Sequence, residues 1–231
     1  NMSKHTSFFN LPNVVCNDIF AHWIESKDLV HLDTAMMNHY HRNLFLEMLN
    51  DKQFVLMGSE KLVLSSYLYW LGHRRLKVNN VALVTSFLEE SDHISRIDLS
   101  KLESLSFRNS CGTGKCKPKE LTLFRRLLSF TSFKSVSYMT LFIRCNNLKH
   151  VDFGDEAHSS FGKIGMFCAK LQSVRAVHCR GLNDTAIESI AQHCRENIRT
   201  IVLRACDQIT SASVYAIAEN CPNLTHVDLS Y

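Results

Sequence analysis

Apolar residues in the C-terminal third follow two alternating rhythms. Leu171, Val174, Ala176 and Cys179 are separated by three, two and three residues, and Ile187, Ile190 and Cys194 by three and four. From Leu171 these seven lie at offsets 0, 3, 5, 8, 16, 19 and 23; from Ile198 the same offsets fall on Ile201, Leu203, Cys206, Val214, Ile217 and Cys221. An upstream copy starts at Leu148 with Val151 and Phe153, and a further one at Leu224 with Val227 and Leu229, so successive starts are 23, 27 and 26 residues apart. The first rhythm puts alternate side chains on one face and predicts a short strand whose other face looks outward. The second predicts a helix with one apolar stripe: Ala186, Ile187, Ile190, Ala191 and Cys194 in one copy, Val214, Ile217, Ala218 and Cys221 in the next. Between strand and helix comes a polar turn, then Asn183/Asp184 or Thr210/Ser211 as the N-cap; Pro222 helps to stop the second helix.

A unit of this kind buries its apolar face only against its neighbours, and a period of about 20 to 29 residues on L-x-x-L-x-L marks leucine-rich repeats. CAKLQSVRAVHCRGLNDTAIESIAQHC and CRENIRTIVLRACDQITSASVYAIAENCPNLTHVDLS resemble the cysteine-containing leucine-rich repeats of F-box proteins, over residues 145 to 231. The constant strand-then-helix order implies an α/β solenoid, parallel strands inside and helices outside. Upstream, Val78, Ile94 and Leu102 are three further L-x-x-L-x-L starts without a cysteine in phase, and predict degenerate repeats. Residues 108 to 144 fit least well, and Ser129 to Ser137 reads as a weak helix or a loop. The expected organisation is a helical segment over 1–50, a helical connector over 51–77 and the solenoid over 78–231, regular from about residue 145. The stop at Tyr231 in mid-repeat and the Asn1-Met2 start suggest a fragment or an incomplete gene model.

The first fifty residues carry a different pattern. After Leu11-Pro12, the residues Ile19, Phe20, Trp23 and Ile24 share one helical face, Asp28 caps a second helix through Leu29, Leu32 and Met36, and Leu44 to Leu49 suggests a third. LPNVVCNDIFAHWIESKDLVHLD resembles the start of an F-box: Leu-Pro, an Ile-Phe pair, then Asp-Leu. The following TAMMNHYHRNLFLEML lacks the Val-Cys and tryptophan that usually close one. The resemblance implies that Leu11, Pro12, Ile19 and Phe20 contact the Skp-type adaptor of a ubiquitin ligase. The other reading is a helical cap over the first repeat, which any solenoid needs.

Composition narrows the remaining classes. A chain of 231 residues, 45% hydrophobic and 21% charged, has enough apolar mass for a continuous core. No run approaches the 18 or so apolar residues of a membrane span, and no basic-then-apolar leader opens the chain, so cytoplasm or nucleus is expected. Of nine cysteines, Cys145, Cys168, Cys194 and Cys221 share one repeat phase and Cys179 and Cys206 another, as small buried apolar groups; Cys16 reads as core. Cys111 and Cys116 form a lone C-x4-C with no second pair, so neither zinc nor a disulfide framework is expected. GTGK at Gly112–Lys115 lacks the phosphate-loop pattern, since Asn109 replaces its first glycine and Cys116 its Ser/Thr. His39 and His41 lie in a polar helix connection, and His178 and His193 occupy different repeat phases. No catalytic triad or carboxylate pair is localised, and no enzyme, cofactor or metal is expected. The sequons at Asn183 and Asn223 fall inside repeats. Basic clusters at Arg74, Arg75 and Lys77, and at Lys115, Lys117, Lys119, Arg125 and Arg126, sit on a net charge of only +4. Trp23 and Trp70 lie in apolar helical contexts, so a solvated face is favoured over nucleic-acid binding.

Binding of another protein is therefore the expected function. The outward strand positions, His150, Asp152, Ser173, Arg175, Val177, Thr200, Val202, Arg204, His226 and Asp228, line up as a continuous concave surface of mixed charge with apolar members. With the F-box resemblance, the chain is expected to be a substrate-recognition subunit of a cullin-RING (SCF-type) ligase. Its alternative is a leucine-rich-repeat scaffold without a ligase link.

Overall fold

The computed structural model describes residues 11–24, 26–51, 54–57, 65–84, 96–108, 133–155 and 159–230. The chain forms two compact units, Asn1–Val81 with Asp92–Lys101, and Ala82–Ser91 with Leu102–Tyr231.

In the first unit, α1 (Asn13–Asp18) starts behind Pro12, whose carbonyl accepts the amides of Val15 and Cys16 at 2.9 and 3.1 Å. The helix runs into a π-turn over Ile19–Trp23, closed by Ile24 N–H to Ile19 O at 3.2 Å. Then come α2 (Ser26–Ala35), α3 (His39–Leu49) and α4 (Ser65–Arg74). Asn38 caps α3 by accepting the Tyr40 amide at 2.9 Å, so His39 and His41 lie in its first turn rather than in a connection. Asp28 stands in the first turn of α2 rather than at its cap. The core of this unit contains Cys16, Phe20, Leu29, Phe45, Met48, Leu49, Leu68, Trp70 and Leu71. At its centre Asp33, 2% exposed, accepts from Trp70 Nε1 at 2.8 Å and from Arg74 Nε and Nη2 at 2.9 and 2.8 Å, with Arg42 Nη2 at 3.3 Å. One carboxylate thus ties α2, α3 and α4 together. Arg75 leaves α4 in the left-handed region (φ 52°), and Leu56 and Val78 then form a parallel bridge, as do Lys77 and Asp98.

The second unit holds most of the α/β solenoid; Asn80 and Val81 of its first strand, and residues 96–101, belong to the first. The solenoid's sheet runs in sequence order through β1 (Asn80–Val84), β2 (Ser104–Arg108), β3 (His150–Asp152), β4 (Ser173–Val177), β5 (Thr200–Arg204) and β6 (His226–Asp228). The registers from β2 to β6 are parallel: Leu105, Val151, Val174 and Ile201 form one buried row, which Val227 continues in register. The starts proposed at Val78 and Leu102 thus lead into β1 and β2. Ile97 and Leu99 of the Ile94 copy are buried, and Ile94 itself lies outside the described residues. Helices α5 (Phe133–Arg144), α6 (Ile164–Phe167, after a 3-10 turn over Ser159–Lys163), α7 (Asp184–Cys194) and α8 (Ser211–Asn220) alternate with the later strands. The caps are Asn183, accepting from the Ala186 amide, and Thr210, accepting from the Ala212 amide. Part of the run Ser129 to Ser137 is therefore helical; residues 109–132, with Cys111, Cys116 and the basic cluster from Lys115, lie outside the described residues.

Three devices join successive repeats: thiols and asparagines at recurring positions, and an aspartate at one joint. Thiols donate weakly to carbonyls near the end of the preceding helical segment: Cys168 Sγ to Phe142 and Cys145 O, both at 3.6 Å, and Cys194 Sγ to Cys168 O at 3.5 Å. Burial pushes Cys145 and Cys194 up to about 12, and Cys168 higher still. Immediately before the first apolar residues Ile198 and Leu224, Asn197 Nδ2 donates to Ala169 O at 3.0 Å and Asn223 Nδ2 to Glu196 O at 3.1 Å. Asp184 at the start of α7 accepts from the Thr210 amide, Thr210 Oγ1 and Ser213 Oγ, and so caps the following helix as well. Upstream, where the repeat is irregular, the rings of Phe107, Tyr138, Phe142, Phe153 and Phe161 fill the space, with Phe153 and Phe161 centroids 4.3 Å apart. Gly154 turns in the left-handed region (φ 55°), where an added Cβ would lie 2.7 Å from Phe107 O.

Three inward expectations fail at the last repeat. Val214 is 44% and Val227 45% exposed and Ala218 is exposed too, whereas their counterparts Ile187, Ile201 and Ala191 are buried. Within these residues α8 and β6 have a neighbouring repeat on one side only. Among the described residues no helix is long and apolar enough to cross a membrane.

Candidate protein-interaction surfaces

The alternation of each strand divides its side chains between core and open face. Parallel registry then lines the outward positions into rows: Ser104, His150, Ser173, Thr200 and His226 in the first, and Ser106, Asp152, Arg175, Val202 and Asp228 in the second. Val177 and Arg204 begin a third. His150, Arg175, Arg204 and His226 are exposed, and Asp152, Ser173, Val177, Thr200 and Asp228 half-buried. Val202 departs from the expected exposure at 7%, because it sits in register between Arg175 and Asp228, a longer or charged side chain on each flank.

The charges on this face are paired. Arg204 donates through Nε to Asp228 Oδ2 at 2.6 Å, and this bond, with a second from Ser230, holds the Asp228 carboxyl well below the usual carboxylate range. Arg175 Nε meets Asp152 Oδ2 at 3.6 Å, an ion pair too long for a hydrogen bond, while Asp152 Oδ1 accepts the Gly154 amide at 2.9 Å. In both pairs the arginine stands outermost: its side chain is 50% or 51% exposed, against 25% and 16% for the aspartates.

The second surface belongs to the helical unit. Leu11 is 41%, Val14 74%, Val15 43% and Trp23 79% exposed, and Pro12 is exposed beside them. Val15, Ile19 and Trp23 follow one another at intervals of four; Ile19 is half-buried. Two sequence expectations are corrected here. Phe20 is 2% exposed and packs edge-on against Phe45 with centroids 5.5 Å apart, so it supports the helix from within and offers nothing to a partner. Trp23 does not share its face, because the π-turn takes up more residues than the 3.6 of an α-turn and swings the third residue after Phe20 outward. Trp70 remains in the core.

The asparagines of the sequons are both engaged, Asn183 as an N-cap and Asn223 in the inter-repeat bond. None of the seven described cysteines is in a disulfide, and among the described residues no three His, Cys, Asp or Glu are grouped to hold a metal ion. His178, on the rim after β4, has a left-handed backbone (φ 56°), as does Ala205 after β5 (φ 47°).

In-register parallel strands, alternating helices and repeat-to-repeat polar ladders define a leucine-rich-repeat solenoid. No family model matches the chain. Among solved structures it is similar to a chain in the crystal structure of the Rad7 and Elc1 complex in yeast, at 13% identity and a TM-score of 0.43. The match covers 94% of this chain and 62% of that one, so this chain spans less than two thirds of its neighbour's length.

Proposed function

We propose that this chain is a protein-interaction module without catalytic activity of its own, the substrate-recognition subunit of a cullin-RING (SCF-type) ubiquitin ligase in cytoplasm or nucleus. The helical unit holds a Skp-type adaptor through Leu11, Pro12, Val14, Val15 and Trp23, and the open strand face holds the target. Its contribution to reaction rate is proximity, with the bond-making left to partner enzymes. The observation that carries the reading is the run of exposed apolar side chains along α1 and its π-turn. Water-facing apolar residues gathered on one short helical segment mark an interaction site.

The test is affinity capture from native cytosol with the full chain and with Val14→Asp/Trp23→Ala. Both positions are more than two-thirds exposed, so the fold should survive. Adaptor and cullin recovered with the parent and lost with the variant support the ligase subunit. Neither recovered with the parent leaves a scaffold that binds one partner through its strand face.

A further inference from the structure

Four outward residues of β4 and β5 form a checkerboard. Arg175 is in register with Val202, and Val177 with Arg204, so arginines occupy one diagonal and valines the other. Strand spacing of about 4.8 Å and alternate residues about 6.6 Å apart place the two arginine Cα atoms about 8 Å from each other. Asp228 accepts the Arg204 guanidinium, and Asp152 meets Arg175 only as an ion pair, so the Arg175 fork keeps its hydrogen-bond donors for a ligand. Because both arginines are two to three times more exposed than the aspartates beneath them, the outermost charge on this patch is positive although its sum is zero.

We propose that this diagonal anchors the target and takes an acidic segment of a partner protein, two carboxylates on Arg175 and Arg204 and an apolar side chain over the half-buried Val177, with Val202 packed beneath. This deepens, and rests on, the reading of the strand face as the target site. A guanidinium fork receives a carboxylate through two parallel N–H bonds, and arginine beside a desolvated apolar patch is a common binding hot spot. Asp152 competes with the incoming carboxylate for Arg175 and sets how tightly the segment is held.

Fluorescence anisotropy of the full chain with three fluorescein-labelled pools of twelve-residue peptides tests this: Asp/Glu with Leu/Val/Phe, Lys/Arg with Leu/Val/Phe, and Ser/Gln with Leu/Val/Phe. The acidic pool should bind best, more weakly as salt rises, and Arg175→Gln or Arg204→Gln should each weaken it about tenfold. Asp152→Asn keeps an acceptor for the Gly154 amide and should tighten binding, which damage to the fold would not do. Equal binding of the basic or neutral pool, no binding of any pool, or no response to the arginine changes in a protein of unchanged circular dichroism would overturn the proposal. Adaptor capture depends on the helical unit and would stand in each of those cases. If acidic peptides bind as expected while no adaptor is captured, the ligase reading falls and this inference remains.

Discussion

Replacing Asp33 by alanine removes the acceptor at the centre of the helical unit and leaves its donors in place. Trp70 Nε1 and two nitrogens of Arg74 lose bonds of 2.8 to 2.9 Å, and Arg42 a weaker one at 3.3 Å. Breaking a buried pair by removing one partner costs about 3 to 5 kcal/mol, because the remaining charge is uncompensated. Arg74 is 21% and Arg42 37% exposed, so water can reach both heads, and the lower end, about 3 kcal/mol, is expected. Asp33→Asn retains shape and one acceptor and should cost about half as much, roughly 1.5 kcal/mol. Both tryptophans lie in this unit, so tryptophan emission during urea unfolding reports on it; in a Trp23→Phe background Trp70 is the only indole. At a slope of about 2 kcal/mol/M, the Asp33→Ala midpoint should fall by about 1.5 M. The refuting result is a midpoint within about 0.3 M of the parent, about 0.6 kcal/mol at that slope. So is an Arg74→Ala change that costs as much in the Asp33→Ala background as in the parent, since coupled residues must show non-additivity.

Other outcomes follow from the repeat devices. Gly154→Ala should destabilise by about 2 kcal/mol, from the left-handed backbone and the approach to Phe107 O, whereas Ala205→Gly, at a like φ, should be neutral or slightly stabilising; thermal melts compare them. The Asp184 carboxyl is held below its ordinary value, first by the hydrogen bond from Ser213 and then, against some desolvation, by those from Thr210. Its contribution is therefore present above the unfolded pKa of about 3.9 and lost as pH falls through the lower folded value, and Asp184→Asn should flatten the loss of melting temperature below about pH 4. With Cys111 and Cys116 changed to serine, the other seven thiols should react slowly with a thiol reagent until denaturant is added, since all seven are buried and burial raises the pKa of Cys16, Cys145, Cys168, Cys194, Cys206 and Cys221; rapid native reaction would contradict the thiol ladder.

The regular repeats were legible because a strand–helix unit repeated in register leaves the same apolar offsets each time, and Leu171, Val174, Ala176 and Cys179 are all buried as those offsets require. The N-caps at Asn183 and Thr210 were legible for the same reason: capping is a local side-chain-to-amide bond. The polar ladders were not. Asn197 and Asn223 share a position, but Lys170 replaces asparagine between them and Asn147, so the signal is broken where it would be most useful. The Asp33 centre joins residues 37 and 41 positions apart, and no local spacing announces it. Trp23 was misplaced because a 3.6-residue period cannot register an inserted π-turn, whereas Phe20 lies on the buried face as the period requires and only the resemblance had put it at an adaptor contact. Outward strand positions follow from alternation, but which of them form pairs depends on register, and so the arginine diagonal emerges only once Arg175 stands against Val202 and Val177 against Arg204.

If two separate surfaces do two separate jobs, one parallel capture experiment separates them. The parent chain, Val14→Asp/Trp23→Ala and Arg175→Gln/Arg204→Gln are each tagged, matched for melting temperature and used to capture partners from the same native cytosol, with recovered proteins quantified by mass spectrometry. The expected result is that the first variant loses the Skp-type adaptor and cullin but keeps binding the acidic peptide pool, while the second keeps adaptor and cullin and loses the peptides. Equal behaviour of the two variants, or adaptor recovery that follows the strand-face arginines and not Val14 and Trp23, would contradict that division.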